Sequence, residues 1–263
     1  MRHNRFLDNT CLWFVFIFLF LPILVLVVFS FNTSRLNIVF EGFTLKWYRE
    51  LFNNPMLVEA LFNTLMVAAI STVISTVVGT ISSYALKRFE FPGKKFINEL
   101  LYIPVVMPEI VLGISLLCIY AFLKMELGMF TLILSHIAFS VPYVIVNVNS
   151  VMDVMNPNLE EAASDLGASR IKTFFKVVLP TLLPGILSGA QLAFTLSLDD
   201  VVVSYFTAGP ESNTLPLQVF SMIKTGVTPD VNAMITIMLG IIFFILFISM
   251  CFNIRKIKRE ERI

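Results

Sequence analysis

Glu109, Asp199 and Asp200 are acidic residues set in long apolar runs, and no Lys or Arg shares those runs with them. A charge at the centre of a bilayer costs about 2.5–3.5 kcal/mol, so three central, unpaired carboxylates would cost ~10 kcal/mol. They must face a protein interior, a wet cavity or the outer interface, or else carry a proton. One chemistry that fits is a site for a cation, which supplies the missing positive charge. The competing readings are structural: a helix end at the outer interface for Asp199 and Asp200, and for Glu109 a neutral acid bonded to a freed backbone carbonyl. Consecutive helical residues point about 100° apart, so one of the two aspartates can serve structure alone. His136 reads as a hydrogen-bonded packing residue rather than a proton relay.

A second pattern lies in the segment 152–180. Asn158 with Glu161 three residues later is a capping-box start, Pro157 suits a helix entry and Gly167 suits the stop. The spacing predicts a short helix over 159–166 with Leu159, Ala162, Ala163 and Leu166 on one stripe and Glu160, Glu161, Ser164 and Asp165 on the polar face. Helices that lie on membranes usually carry Lys or Arg on that face. This one carries three acids and no base, so an anionic inner leaflet repels it and a protein groove is the better partner. A second helix, opened by Ser169 and carrying Arg170, Lys172 and Lys176 before Pro180, suits lipid phosphates.

These residues need a membrane scaffold to hold them. Of 263 residues, 57% are hydrophobic and 14% charged, against about 45–50% and about 25% in soluble domains. Mean hydropathy is +0.85. This excludes a water-soluble enzyme, a disordered chain and a nucleic-acid binder, and a net charge of +1 implies no anionic partner. A spanning helix needs roughly 20 mostly apolar residues, which predicts six: 11–31, 60–86, 100–123, 129–151, 181–206 and 233–252. The first is too long for the apolar core of a signal peptide and has no small-residue cleavage site, so it is expected to stay. With the N-terminus inside, fourteen Lys and Arg fall in inner segments and five in outer ones, so both termini are expected in the cytoplasm. The expected organisation is a first span with an outer segment (1–59), a core (60–252) containing the 152–180 loop, and a basic tail (253–263). The outer segments 32–59 and 207–232 each hold a candidate amphipathic helix, at 45–52 and 215–224.

Ser71, Ser75, Gly79 and Ser83 recur every four residues, as do Gly185 and Gly189. Small residues on one face let helix backbones approach in lipid, where packing drives association; a pore-lining role for the Ser/Thr face is the alternative. Pro22, Pro104, Pro108, Pro142 and Pro184 each remove a backbone donor. Such breaks survive in membranes where protein or a water-filled cavity satisfies the freed carbonyl, and Pro104 with Pro108 predicts a bent third span. Cys11, Cys118 and Cys251 are odd in number with no CxxC, which predicts neither a disulfide framework nor a metal site. No Gly-x-x-x-x-Gly-Lys-Ser/Thr run occurs, so no nucleotide-binding loop is expected. With only His3 and His136, the chain lacks the cluster that an integral membrane enzyme needs.

The run Glu161-Ala162-Ala163, three residues, Gly167, nine residues, then Val177-Val178-Leu179-Pro180 resembles the EAA loop of ABC-importer permeases, with Val177 where that pattern has Ile. Gly42-Phe43-Thr44-Leu45-Lys46-Trp47-Tyr48, the stretch 194–203, Leu215-Pro216-Leu217 and the stretch 221–229 further resemble the spermidine/putrescine (PotC-like) permease family, over nearly the whole chain. The resemblance implies an all-α, type I (MetI-like) bundle of six transmembrane helices in the bacterial inner membrane, with no catalytic residue and no metal of its own. It implies that 159–166 is a coupling helix seated in a cleft of an ATPase subunit through Leu159, Glu161, Ala162, Ala163, Asp165, Leu166 and Gly167. The implied partners are a second homologous permease subunit (PotB-like), two ATPase subunits (PotA-like) that bind ATP and Mg, and an extracytoplasmic polyamine-binding protein (PotD-like). A polyamine is a flexible chain with two or more ammonium groups, so it wants spaced carboxylates and aromatic faces. Glu109, where relatives commonly carry Asp, together with Asp199, Asp200, Ser197, Trp47 and Tyr205 makes up the candidate substrate path. Trp47 equally suits an outer-interface anchor. The rival reading is a self-sufficient ion-coupled cation transporter or channel, which has no need of an EAA-type loop.

Overall fold

The computed structural model describes residues 5–34, 39–156, 158–223 and 229–260. Its elements are α1 (Arg5–Phe29), α2 (Lys46–Phe52), α3 (Pro55–Arg88), α4 (Lys94–Val106), α5 (Glu109–Phe122), α6 (Met129–Val154), α7 (Asn158–Asp165), α8 (Arg170–Thr173), α9 (Leu179–Asp199), α10 (Val202–Thr207), α11 (Leu215–Ile223) and α12 (Pro229–Glu260). A π-helical turn, Phe174–Val178, joins α8 to α9. Among the described residues the extended pairing is a single bridge between Asn32 and Phe43. Four stretches are long and apolar enough to cross a bilayer, Asn9–Phe29, Pro55–Arg88, Met129–Val154 and Arg170–Asp199, and α4 with α5 adds a fifth if counted as one broken span.

The chain forms two compact units, one of Met1–Val58 with Ser221–Ile263 and one of Glu59–Phe220. In the first, α1 exposes Trp13, Phe14, Phe16 and Phe18 on every side, the pattern of a helix whose solvent is lipid. Asn32 fastens the chain that follows. Its side chain accepts from the Glu41 N–H at 2.8 Å and donates to the Val39 carbonyl at 2.7 Å. Its own carbonyl accepts from Trp47 Nε1 at 2.5 Å. The two short amphipathic helices expected near 45–52 and 215–224 are α2 and α11, with Lys224 itself outside the described residues. α12 is helical for 32 residues and continues through 253–260 of the basic tail.

In the second unit α6 is the hub. A Cβ added to Gly79 of α3 would lie 2.7 Å from Val144, and one added to Gly185 of α9 would lie 2.7 Å from the Asn147 carbonyl. Ser71, Ser75 and Ser83 are fully buried, so the four-residue stripe is a packing face and not a pore lining. Val144, Val148 and Met152 of α6 form a core with Val178, Leu182 and Ala193.

Two predicted spans are broken rather than bent. The 100–123 run divides at Met107–Pro108, and α4 and α5 diverge by 117°. Met107 is extended (φ −78, ψ 138), as a following proline demands, and Pro108 is extended too (φ −57, ψ 133). Two successive extended residues redirect the axis instead of curving it. The 181–206 run stops at Asp199, because Asp200 is extended (φ −64, ψ 124) and helix resumes only at Val202. The two aspartates are therefore not neighbours on one helix, and the expected 100° separation does not apply.

α7 matches the predicted short helix but starts differently. Asn156, not Asn158, supplies the cap, accepting from the Asn158 N–H at 3.0 Å; Pro157 lies outside the described residues. At its end Gly167 takes φ 77, which L side chains resist. The Ala168 N–H reaches the Ala163 carbonyl at 3.0 Å and the Gly167 N–H reaches Ser164 at 2.9 Å, the Schellman arrangement.

Candidate functional site

The two breaks face one cavity of about 290 Å³ in the second unit, at the small end of ligand pockets. Glu109 borders it from the start of α5, Asp199 from the end of α9 and Asp200 from the junction that follows. Phe139 and Tyr143 of α6 add aromatic faces, and Leu112, Leu196 and Val203 add apolar ones. Among the described residues no Lys or Arg borders it.

The three carboxylates differ in what opposes their charge. Glu109 stands in the first turn of α5, where unpaired N–H groups favour an anion. Asp199 stands in the last turn of α9, where the unpaired carbonyls already carry partial negative charge. Its own helix disfavours its carboxylate, so a cation placed there would meet both the carboxylate and the carbonyls. Asp200 is committed elsewhere. It accepts from the N–H of Val203 at 3.2 Å, the N–H of Ser204 at 2.7 Å and the Ser204 hydroxyl at 2.6 Å. Its side chain is 6% exposed. Asp200 thus caps α10, a structural duty that sequence assigns to one of the pair without saying which.

His136 completes that arrangement from α6. Nδ1 lies 2.6 Å from Ser197 Oγ and Nε2 lies 3.0 Å from Ser204 Oγ. Ser197 also lies 3.3 Å from Ser71 Oγ of α3. His136 is a buried strut across the α9–α10 break, in keeping with its expected packing role. Of the other candidate path residues, Ser197 sits in this network and does not line the cavity. Tyr205 is exposed on α10, edge-on to Phe206 and Phe220. Trp47, 4% exposed, holds the Asn32 turn of the other unit, which is an anchoring duty. No motif in the sequence marks Phe139 and Tyr143, although with His136 their spacing of three and four residues puts all three on one helical face.

The other candidate element is α7, which buries no residue. Leu159, Glu161, Ala162, Asp165, Leu166 and Gly167 are exposed, and Ala163 is half-buried. The expected stripe is thus open to a partner. Between α7 and the end of α3 lies a second cavity of about 370 Å³, bordered by Tyr84, Arg88, Glu160 and Arg170. Among the described residues no group of three or more His, Cys, Asp or Glu could hold a metal ion.

Residues 75–257 match the family of the binding-protein-dependent transport system inner membrane component, and the chain belongs to that family of ABC-importer permeases. The particular relatives are these. The chain is 44% identical to the spermidine/putrescine transport system permease protein PotC of Escherichia coli (strain K12) over 210 residues, 80% of either protein. It is 40% identical to the PotC protein of Haemophilus influenzae over 89% of this chain and 91% of that one. It is 39% identical to the putrescine transport system permease protein PotI of Escherichia coli (strain K12) over 89% and 86%. The fold is that of a chain in a bacterial alginate ABC transporter, with TM-score 0.74, 16% identity and coverage of 95% and 94%. It is also that of a chain in the inward-facing MetNI methionine ABC transporter, with TM-score 0.63, 17% identity and coverage of 74% and 95%.

Proposed function

We propose that this chain is a membrane-spanning subunit of an ATP-driven polyamine importer, supplying half of the translocation path and taking its drive through α7. The observation that carries the reading is the pair of carboxylates, Glu109 and Asp199, at one cavity that no Lys or Arg among the described residues borders. Two fixed anionic points with the aromatic walls of Phe139 and Tyr143 match a flexible solute with separated ammonium groups and methylenes between them. Permease relatives named for spermidine and putrescine support the same substrate class. The cavity is small, about 290 Å³.

In this reading α12 is the sixth span, α4 with α5 is one broken span, both termini face the cytoplasm and the membrane is the bacterial inner membrane. A second, PotB-like permease supplies the other half of the path. Two PotA-like ATPases bind ATP and Mg and receive α7 through Leu159, Glu161, Ala162, Ala163, Asp165, Leu166 and Gly167. A PotD-like binding protein delivers the polyamine outside. Family membership favours this division of labour over a self-sufficient cation transporter. The test is uptake of labelled spermidine and putrescine by vesicles that hold this chain with and without these partners. ATP-dependent uptake by the full set alone is expected, and uptake by the chain without any ATPase would overturn the reading.

A further inference from the structure

Glu160, in the first turn of α7, turns back toward α3 and away from solution. Arg88 Nη2 lies 2.6 Å from its Oε1, and the Tyr84 hydroxyl donates to its Oε2 at 3.3 Å. Arg88 is the last residue of α3 and Tyr84 stands four residues earlier, so both partners occupy one face of the final turn; Arg88 meets Glu160 as an ion pair and Tyr84 by a hydrogen bond. The side chains of Arg88 and Glu160 are 28% and 20% exposed, which removes much of the screening that makes surface ion pairs weak. The nearby Lys87–Asp153 pair is far more solvated. Tyr84 in turn packs its ring 4.9 Å from Phe174, the first residue of the π-helical turn that leads into α9.

Besides this contact α7 packs against α8 and the π-helical turn, both of which lead into α9 and not into α3. One flank is the Asn156 cap, the other the left-handed Gly167 turn, and both are non-helical and absorb displacement. We infer that Glu160 is a positioning residue that fastens α7 to the end of α3 through Arg88 and Tyr84, so that movement of α7 is delivered to α3 directly as well as through α8 to α9. α3 reaches the cavity walls through Ser71, Ser197 and His136. The inference rests on the reading of α7 as the helix driven by an ATPase.

The first test needs no ATPase. Amide exchange over 158–165 is measured on the full chain in lipid nanodiscs for the unaltered protein, for Glu160→Gln, and for the charge-exchanged pair Glu160→Arg with Arg88→Glu. Glu160→Gln is expected to speed exchange about 3- to 10-fold, the weight of a half-buried charged contact, and the exchanged pair is expected to restore slow exchange. Unchanged exchange in Glu160→Gln overturns the tie. The second test measures polyamine taken up per ATP hydrolysed in the assembled complex. Glu160→Gln is expected to lower that ratio at least about threefold, in line with the same contact, while the ATPases still co-purify, and the exchanged pair is expected to recover it. Faster exchange with an unaltered ratio overturns the transmission to α3. An unaltered chain that binds no ATPase overturns the functional reading instead, and the exchange result then stands on its own.

Discussion

Asp199 and Asp200 are chemically identical neighbours, yet their surroundings assign them opposite duties, and substitution should separate them. Asp200 accepts three hydrogen bonds, two from backbone N–H groups of α10 and one from Ser204, at 2.6 to 3.2 Å. Loss of a helix cap costs about 0.5–2 kcal/mol, and loss of a hydrogen bond to a charged acceptor costs about 1.5–3 kcal/mol. These terms overlap, so Asp200→Ala should cost about 2–4 kcal/mol. For a chain of this size each kcal/mol moves the midpoint by about 2–4 °C, which gives a fall in Tm on the order of 10 °C. Asp199 is exposed and starts no helix, so Asp199→Asn should stay within about 0.5 kcal/mol of the parent. Its effect falls on uptake, which should drop about tenfold for a lost contact of ~1.4 kcal/mol with an ammonium group. The assay pairs thermal unfolding followed by circular dichroism in nanodiscs with polyamine uptake by the reconstituted complex. Equal losses of Tm in the two variants, or a stable Asp200→Ala protein, would refute the assignment.

Three further outcomes are expected. Glu109→Gln should raise the KM for spermidine about tenfold, the loss of one charged contact of ~1.4 kcal/mol, with complex assembly intact; unchanged uptake kinetics would remove Glu109 from the path. Gly79→Val forces a side chain into Val144, 2.7 Å from the new Cβ, and should destabilise by about 1–3 kcal/mol; a parental melting curve would show that α3 and α6 do not pack as described. Trp47→Phe removes the donor to the Asn32 carbonyl and should cost about 1–3 kcal/mol for the orphaned acceptor, while the KM for polyamine stays unchanged; a raised KM would return Trp47 to the substrate path.

What the sequence makes legible here is what depends on nearest neighbours along the chain. The span 129–151 is a long apolar run and emerges as α6, and α7 follows from its stripe and from Gly167. The stripe at Ser71, Ser75, Gly79 and Ser83 reports close packing because every fourth residue shares a face. The breaks are harder. Pro108 predicts a disturbance, but only the extended conformation of both Met107 and Pro108 makes it a change of direction. Nothing local marks Asp200 rather than Asp199 as the cap, since that depends on where helix resumes. The contacts of His136 with Ser197 and Ser204, and of Glu160 with Arg88, join residues 60 or more positions apart, and hydropathy carries no record of such pairings. Glu161 belongs to the recognisable motif, whereas nothing local distinguishes Glu160 from its neighbours on the same polar face.

The carboxylates at the cavity stand on helix ends, Glu109 at a beginning and Asp199 at a finish, whereas the aromatic wall of Phe139 and Tyr143 is the flank of α6. Flanks are locked by ladders of backbone bonds and interleaved side chains, and shifting them means unpacking a core. Ends meet at a few backbone torsions outside the helical ladders, those of Met107, Asp200 and Val201 and the ψ of Pro108, whose φ the ring fixes. A small rotation there swings one negative point away from the other while every ladder stays whole. On the proposed reading, a diamine held between Glu109 and Asp199 would be released by such a change of span, with the bilayer-embedded framework undisturbed.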